Sequence, residues 1–175
     1  MTIKHRYIVI IVVLLVLIIA IVCYYNYYML YVYDPGIKQV IASGAKLSDY
    51  QSAKNWTIGK VTRSTILHRE GSLELPSVSS TPLMSARIIR KVFEDATTLE
   101  KAILQEQERQ GFTVKQKVSD RLFILEGIQC SAVVGYYTSA NFAYVVDVVC
   151  DNRLFPLVKD SVINDVKRII YGGSK

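Results

Sequence analysis

The hydrophobic pattern of this chain begins with one long apolar stretch. From Tyr7 to Tyr33, every residue except Asn26 is apolar or aromatic. Written as an α-helix at about 1.5 Å per residue, the stretch extends roughly 40 Å, which exceeds the bilayer hydrocarbon core of about 30 Å. Tyrosines crowd its C-terminal end, where aromatic side chains suit the membrane interface. The pattern therefore predicts a membrane-spanning helix.

The charges that flank this stretch predict its orientation. Lys4, His5 and Arg6 precede it, and the next basic residue is Lys38. Because basic residues favour the cytoplasmic side, we expect a cytoplasmic N-terminus and an external C-terminal domain at the cell membrane. The predicted parts are a cytoplasmic tip and transmembrane anchor at 1–34, a linker or short juxtamembrane helix at 35–55, and an extracytoplasmic domain at 56–175.

Three other N-terminal signals are alternatives to an anchor. A signal peptide cleaved near Ala20 would need small neighbours, and a lipidated Cys23 would need a small residue in place of Val22. A pilin-type leader would need Gly, Ala or Ser at its cleavage point, where this chain has Arg6 and a tyrosine. The sequence thus favours an uncleaved anchor. Within it, Asn26 is either a contact to a partner helix in the membrane or a group that reaches headgroup water.

The remainder of the chain has short periodic stretches that predict a mixed domain. Asp34-Pro35-Gly36 ends the first helix, and short apolar runs between Trp56 and Phe93 predict antiparallel strands. Thr97, followed by Glu100 three residues later, forms a capping box for a helix that stops at Gly111.

The C-terminal half continues with three predicted strands and a helix. The strands cover 112–118, 121–138 with a bend at Gly127, and 142–150, and the helix opens at Pro156. The predicted fold class is α+β, with an antiparallel β-sheet and both helices packed on one of its faces.

This order of segments resembles a known fold. From the helix at Thr97 through the strand from Phe142 to Cys150 and on to the helix that ends near Ile170, the chain resembles the PsbP-like α+β fold. Known PsbP-like proteins are mostly non-enzymatic, and the founding ones dock on the lumenal face of a membrane complex. The resemblance implies an accessory subunit, although this chain differs in keeping a membrane anchor.

Two cysteines are placed to form a disulfide. If the turn is Ser139-Ala140-Asn141, the numbers of any two residues that face each other across the hairpin add up to 280. Cys130 and Cys150 meet this condition. Opposed side chains in an antiparallel pair come within disulfide range, and an external compartment favours oxidation. The alternative is two buried thiols, which a one-residue slip of the turn would produce. Cys23 is expected to be a small apolar residue that faces the membrane.

The sequence contains no catalytic signature. His68 is the only histidine beyond the N-terminal one, no Cys or His spacing fits zinc, and no glycine-rich loop follows a strand. Glu94 and Asp95 precede a helix, where they complement its dipole. Asp147 interrupts an apolar strand, and we expect it on an exposed face of the sheet. We therefore assign no catalytic, metal or cofactor-binding residue and expect no cofactor.

Charge and one modification motif add little specificity. The net charge of +6 is spread along the chain, and the pairs Arg90-Lys91 and Lys167-Arg168 are expected to be solvated, so we expect no nucleic-acid partner. Asn55, in Asn55-Trp56-Thr57, is a candidate glycosylation site if the source cell performs N-glycosylation.

Three hypotheses for the function follow from this pattern. The first, which we favour, is a non-catalytic accessory or assembly subunit of a larger membrane protein complex, with other membrane subunits as partners. The second is a surface or virion envelope structural protein that self-associates as a homo-oligomer. The third is an external enzyme or ligand-binding module, which would need a deep pocket with convergent polar groups.

Overall fold

The N-terminal apolar stretch forms a single long helix, α1, at Ile3–Tyr27. The computed structural model describes residues 3–27, 34, 36–51, 59–61, 64–66, 68–78, 82–93, 98–139 and 142–172. Over Tyr7–Tyr25 no residue of α1 is buried. The helix is long and apolar enough to cross a membrane, and a signal sequence shares these properties. Contacts divide the chain into two compact units, Met1–Asp34 and Pro35–Lys175.

The second unit is an α+β domain, as the sequence predicts. Its helices are α2 (Ile37–Ala42), α3 (Leu99–Arg109) and α4 (Phe155–Ile170). Its strands are β1 (Lys46–Gln51), β2 (Gly59–Val61), β3 (Ser64–Ile66), β4 (His68–Glu74), β5 (Met84–Val92), β6 (Thr113–Ser119), β7 (Leu122–Glu126), β8 (Cys130–Ser139) and β9 (Phe142–Asp151).

Seven of these strands form one antiparallel sheet. Their order is β1-β4-β5-β9-β8-β7-β6, so β9 lies at the centre and β1 and β6 lie at the edges. The single strand predicted at 121–138 is instead the hairpin of β7 and β8, because the Gly127 N–H donates to the Cys130 carbonyl at 2.8 Å and reverses the chain.

The central strands bury side chains on both faces of the sheet. From β9, Tyr144, Val146 and Val148 enter a first core, whereas Ala143 and Val145 enter a second core on the other face. Helices α2 and α4 supply apolar residues to the first core, and α3 supplies them to the second. The prediction that both helices pack on one face is therefore wrong. A strand that is apolar on both faces needs cover on both.

The segment predicted as a linker contributes to the folded domain. Val40 of α2 is fully buried in the first core, and the Gln39 amide donates to the Ile169 carbonyl near the end of α4. Strand β1 then pairs with β4 at the sheet edge. Helix α2 and strand β1, which lie in the segment predicted as a linker or short juxtamembrane helix, are therefore packed on the domain.

Two stacked tyrosines fix the start of the domain. The rings of Tyr137 and Tyr144 lie 5.0 Å apart with an interplanar angle of 10°. The Tyr137 hydroxyl donates to the Gly36 carbonyl at 2.9 Å, and the Gly36 N–H donates to the Tyr144 hydroxyl at 3.3 Å. A Cβ atom at Gly36 would lie 2.1 Å from Tyr144 Cζ, so only glycine fits against these rings.

Helix α3 begins one residue later than the capping box implies. Its N-cap is Thr98, which makes no side-chain capping hydrogen bond, and Thr97 lies outside the described residues. The Glu100 carboxylate instead accepts a hydrogen bond from Lys117 on β6 at 3.1 Å. The predicted stop is confirmed, because Gly111 follows the helix with a φ of +87°.

The register of β8 and β9 contradicts the predicted disulfide. Ser139 opposes Phe142, so two residues separate the strands and Cys130 opposes Asp151 while Ser131 opposes Cys150. This one-residue shift turns the two cysteines to opposite faces. Cys150 is buried in the first core, Cys130 packs against the second, and both thiols are free. The alternative, two unpaired thiols packed in the sheet, is correct.

Alkylation should distinguish the two thiols. Burial raises the pKa of the Cys150 thiol to about 11, so at neutral pH it stays protonated and poorly nucleophilic. In the native, detergent-solubilised chain we expect iodoacetamide to modify the half-buried Cys130 well before Cys150, as measured by peptide mass spectrometry. A sample unfolded in denaturant, the control, should react at both. A linked Cys130–Cys150 peptide in a non-reducing digest would contradict this register.

Candidate functional site

Four charged side chains meet between α3 and the sheet, on the face of the second core. We call Arg87, Lys91, Glu106 and Asp147 the α3 charge cluster. Lys91 is 2% exposed and Asp147 is fully buried. The prediction of solvated positions for Arg90 and Lys91 and of an exposed Asp147 is therefore wrong, because the sheet is covered on both faces.

Arg87 and Asp147 form the centre of the cluster. They are direct cross-strand partners on β5 and β9, and Arg87 donates from Nε at 3.0 Å and from Nη2 at 2.8 Å to Asp147 Oδ2. Arg87 Nη2 also donates to the Gln110 side chain just beyond α3 at 3.3 Å. Burial alone would lower the pKa of Arg87, but the Asp147 charge and hydrogen bonds outweigh it and raise that pKa above its ordinary value.

Lys91 and Glu106 form the second pair of the cluster. The Lys91 ammonium on β5 donates to Glu106 Oε2 on α3, and the Glu106 side chain is 33% exposed whereas that of Lys91 is 2% exposed. Buried charges are tolerated where they are paired and hydrogen-bonded. The cluster links α3 to the sheet, because Lys91 of β5 bonds Glu106 of α3 and Arg87 of β5 bonds Gln110 just beyond it.

A groove opens beside α3, on the side of the edge strand β6. Its volume is about 600 Å³. The apolar side chains that line it are Leu104 of α3, Phe112, Val114 of β6 and Leu125 of β7. Polar side chains from α3 surround it: Glu100, Lys101, Gln105, Gln107 and Glu108. An open groove with an apolar lining and a polar rim can bind an apolar side chain of a partner.

Several of the predicted site residues fall outside what the structure describes. The side chain of Asn26 in α1 and that of His68 in β4 are not described, and Asn55, Glu94 and Asp95 lie outside the described residues. The His68 backbone pairs with that of Lys91. Within the described ranges, no group of three or more His, Cys, Asp or Glu side chains is arranged to hold a metal ion.

Sequence reasoning missed both the charge cluster and the groove. Arg87 and Asp147 are 60 residues apart, so their contact depends on the pairing of β5 with β9. The one available signal was a charged residue in the middle of an apolar strand, which is Asp147 in Phe142–Asp151. The groove has no signal at all, because it requires the position of α3 on the sheet.

Comparison of the chain with protein-family models, with curated proteins and with solved structures finds no significant match.

Removal of the buried carboxylate should destabilise the domain. We expect Asp147→Ala to lower the free energy of unfolding by roughly 2–4 kcal/mol, because it leaves the half-buried Arg87 without its main partner. Urea unfolding of the detergent-solubilised chain, followed by the circular dichroism of the sheet, measures the change. The control is Glu126→Ala, which breaks the exposed pair with Lys115 (49% and 57% exposed) and should cost less than about 1 kcal/mol. Equal losses in the two variants would contradict a structural role for the cluster.

Proposed function

We propose that this protein is a single-pass membrane protein that acts as a non-catalytic accessory or assembly subunit, with its C-terminal domain outside the cytoplasm. The observation that carries the proposal is helix α1, in which none of the residues from Tyr7 to Tyr25 is buried. Aliphatic side chains without protein cover are stable in lipid and costly in water. The chain thus joins a lipid-compatible helix to a folded α+β domain.

Features of the domain support docking as its mode of action. The cations of the α3 charge cluster are bonded within the domain. The groove beside α3, in contrast, exposes apolar surface, and Val114 in it is 50% exposed. Exposed apolar surface with a polar rim is typical of a surface that recognises a partner. The resemblance to PsbP-like proteins stays a prediction, and it agrees with an accessory role.

Protease protection tests the proposed orientation. Lys4, His5 and Arg6 precede the apolar helix, so we expect the N-terminus inside and the domain outside. Protease added to intact cells or spheroplasts should remove the domain and leave an N-terminal tag intact. Survival of the domain until lysis would contradict the orientation and, with it, any glycan on Asn55.

Asn26 provides a test of the proposed assembly. An amide at this depth is stabilised by a hydrogen bond to a neighbouring transmembrane helix. After purification of the tagged full chain in mild detergent, we expect unlike subunits in fixed ratio, and we expect Asn26→Leu to lower their recovery several-fold without changing the circular dichroism of the domain. The control is Cys23→Leu in the same helix. Unchanged recovery with Asn26→Leu would remove Asn26 from the interface, and recovery of only this chain would favour a self-associating surface protein.

A further inference from the structure

The domain begins almost directly after the apolar stretch of the sequence. The apolar and aromatic residues end at Tyr33, and Gly36, three residues later, is already buried in the domain. Three fully extended residues cover no more than about 11 Å. Gly36 is in turn held by its hydrogen bonds with Tyr137 and Tyr144. Where α1 spans a bilayer, the part of the domain around Gly36 is therefore within reach of the lipid headgroups.

Helix α2 follows this glycine directly and exposes an isoleucine. The Gln39 N–H donates to the Gly36 carbonyl at 3.1 Å, so the helix continues from the point at which the domain is held. Val40 is buried in the first core, whereas Ile41 is 65% exposed and Lys38 is exposed as well. Helix α2 thus packs on the domain and still leaves a large aliphatic side chain in water, which is unfavourable.

The C-terminal end of α4 lies against α2 and enlarges this surface. The Gln39 amide donates to the Ile169 carbonyl at 2.5 Å, and a Cβ at Gly172 would lie 3.7 Å from Gln39 Cδ. Next to these contacts in the chain, the Arg168 side chain is 59% exposed and Tyr171 is 45% exposed. We call the following four residues the α2–α4 surface: Lys38, Ile41, Arg168 and Tyr171.

The chemistry of the α2–α4 surface suits the headgroup region of a bilayer. Aliphatic and tyrosine side chains favour the membrane interface, and long basic side chains extend their charge to anionic headgroups. The Tyr171 hydroxyl is hydrogen-bonded to that of Ser119 at 2.7 Å, which holds the ring in place. Asp165, one turn before Arg168, is buried and accepts two hydrogen bonds from Ser77, so it adds no exposed negative charge.

The position of this surface in the chain selects the bilayer as its partner. Leu157, at the start of α4, is 81% exposed, but it lies roughly 20 Å along the helix from Tyr171. Ile41, in contrast, is eight residues after Tyr33. Where α1 is inserted, the covalent chain keeps that bilayer beside α2 at a high effective concentration. A protein partner would have to reach the same surface by diffusion.

We propose that the α2–α4 surface lies on the bilayer that α1 crosses and binds anionic lipid headgroups there. This inference rests on the proposed function in one respect, the insertion of α1 in a membrane, and it adds lipid as a partner of the folded domain. The domain is then attached to the membrane at this surface as well as through the covalent link to α1.

The first test places an environment-sensitive fluorophore on the surface. The full chain with Ile41→Cys, in a Cys23→Ala, Cys130→Ala background that keeps the buried Cys150, is labelled and reconstituted in nanodiscs of phosphatidylcholine and phosphatidylserine. Lipids that are brominated near the headgroup end of their acyl chains serve as quenchers. We expect quenching at position 41 to be several-fold stronger than in the matched control, Leu157→Cys, because only position 41 lies at the bilayer.

The native Cys23 of α1 separates this inference from the proposed function. A fluorophore on Cys23, in a Cys130→Ala chain, should be quenched wherever α1 is inserted. Quenching at Cys23 without quenching at position 41 would overturn this inference and leave the membrane anchor standing, whereas quenching at neither would overturn both. Equal quenching at positions 41 and 157, or a blue-shifted label at position 41 that bromine does not quench, would also overturn the inference, since the second result means that protein covers Ile41.

The second test concerns the charge of the headgroups. We expect the fraction of quenched label at position 41 to rise as phosphatidylserine replaces phosphatidylcholine. Arg168→Gln should lower the ratio of quenched to unquenched label about fivefold in the anionic nanodiscs, because it removes one cation from the anionic surface. The matched control is Lys115→Gln on β6, whose side chain is 57% exposed, and it should leave the ratio unchanged. Equal effects of the two substitutions, or quenching that does not depend on phosphatidylserine, would overturn the binding of anionic lipid.

Discussion

The burial of β8 and β9 on both faces of the sheet is the constraint on which the rest of the domain depends. Alternate residues of each strand enter different cores, so each face needs its own cover. Helix α4 returns over one face after β9, and α3 covers the other before β6 begins. The same alternation places Cys130 and Cys150 on opposite faces of the sheet. It also buries Asp147, the one charged residue that lies between these cysteines in the sequence.

The buried charge pair connects this constraint to the surface of the domain. Burial of a carboxylate in a central strand is costly, and the cross-strand Arg87 offsets that cost only while both are held together. Arg87 also contacts Gln110, and Lys91 contacts Glu106, so charges on the sheet set the position of α3. Because α3 forms one wall of the groove, these interior contacts contribute to the shape of that outer surface.

The start of the domain is defined by shape as much as by hydrogen bonding. Gly36 lies against the stacked rings of Tyr137 and Tyr144, which exchange two hydrogen bonds with its backbone. The sequence indicated only that Asp34-Pro35-Gly36 ends the first helix. What requires glycine here is the close approach of two aromatic rings. They belong to strands far along the chain, 101 and 108 residues after Gly36. Such a contact is invisible to local pattern analysis.

The sequence by itself determined the local features: the apolar helix α1, the stop of α3 at Gly111, the amphipathic α4 and the antiparallel strands, because periodicity and glycine or proline positions act over a few residues. It could not determine which face each helix covers, the register of β8 and β9, or the partner of Asp147. Each of these depends on contacts between distant segments, and a turn of two residues instead of three is enough to reverse every side chain in a strand. The groove exists only once α3 lies on the sheet, so it was decided by tertiary structure alone.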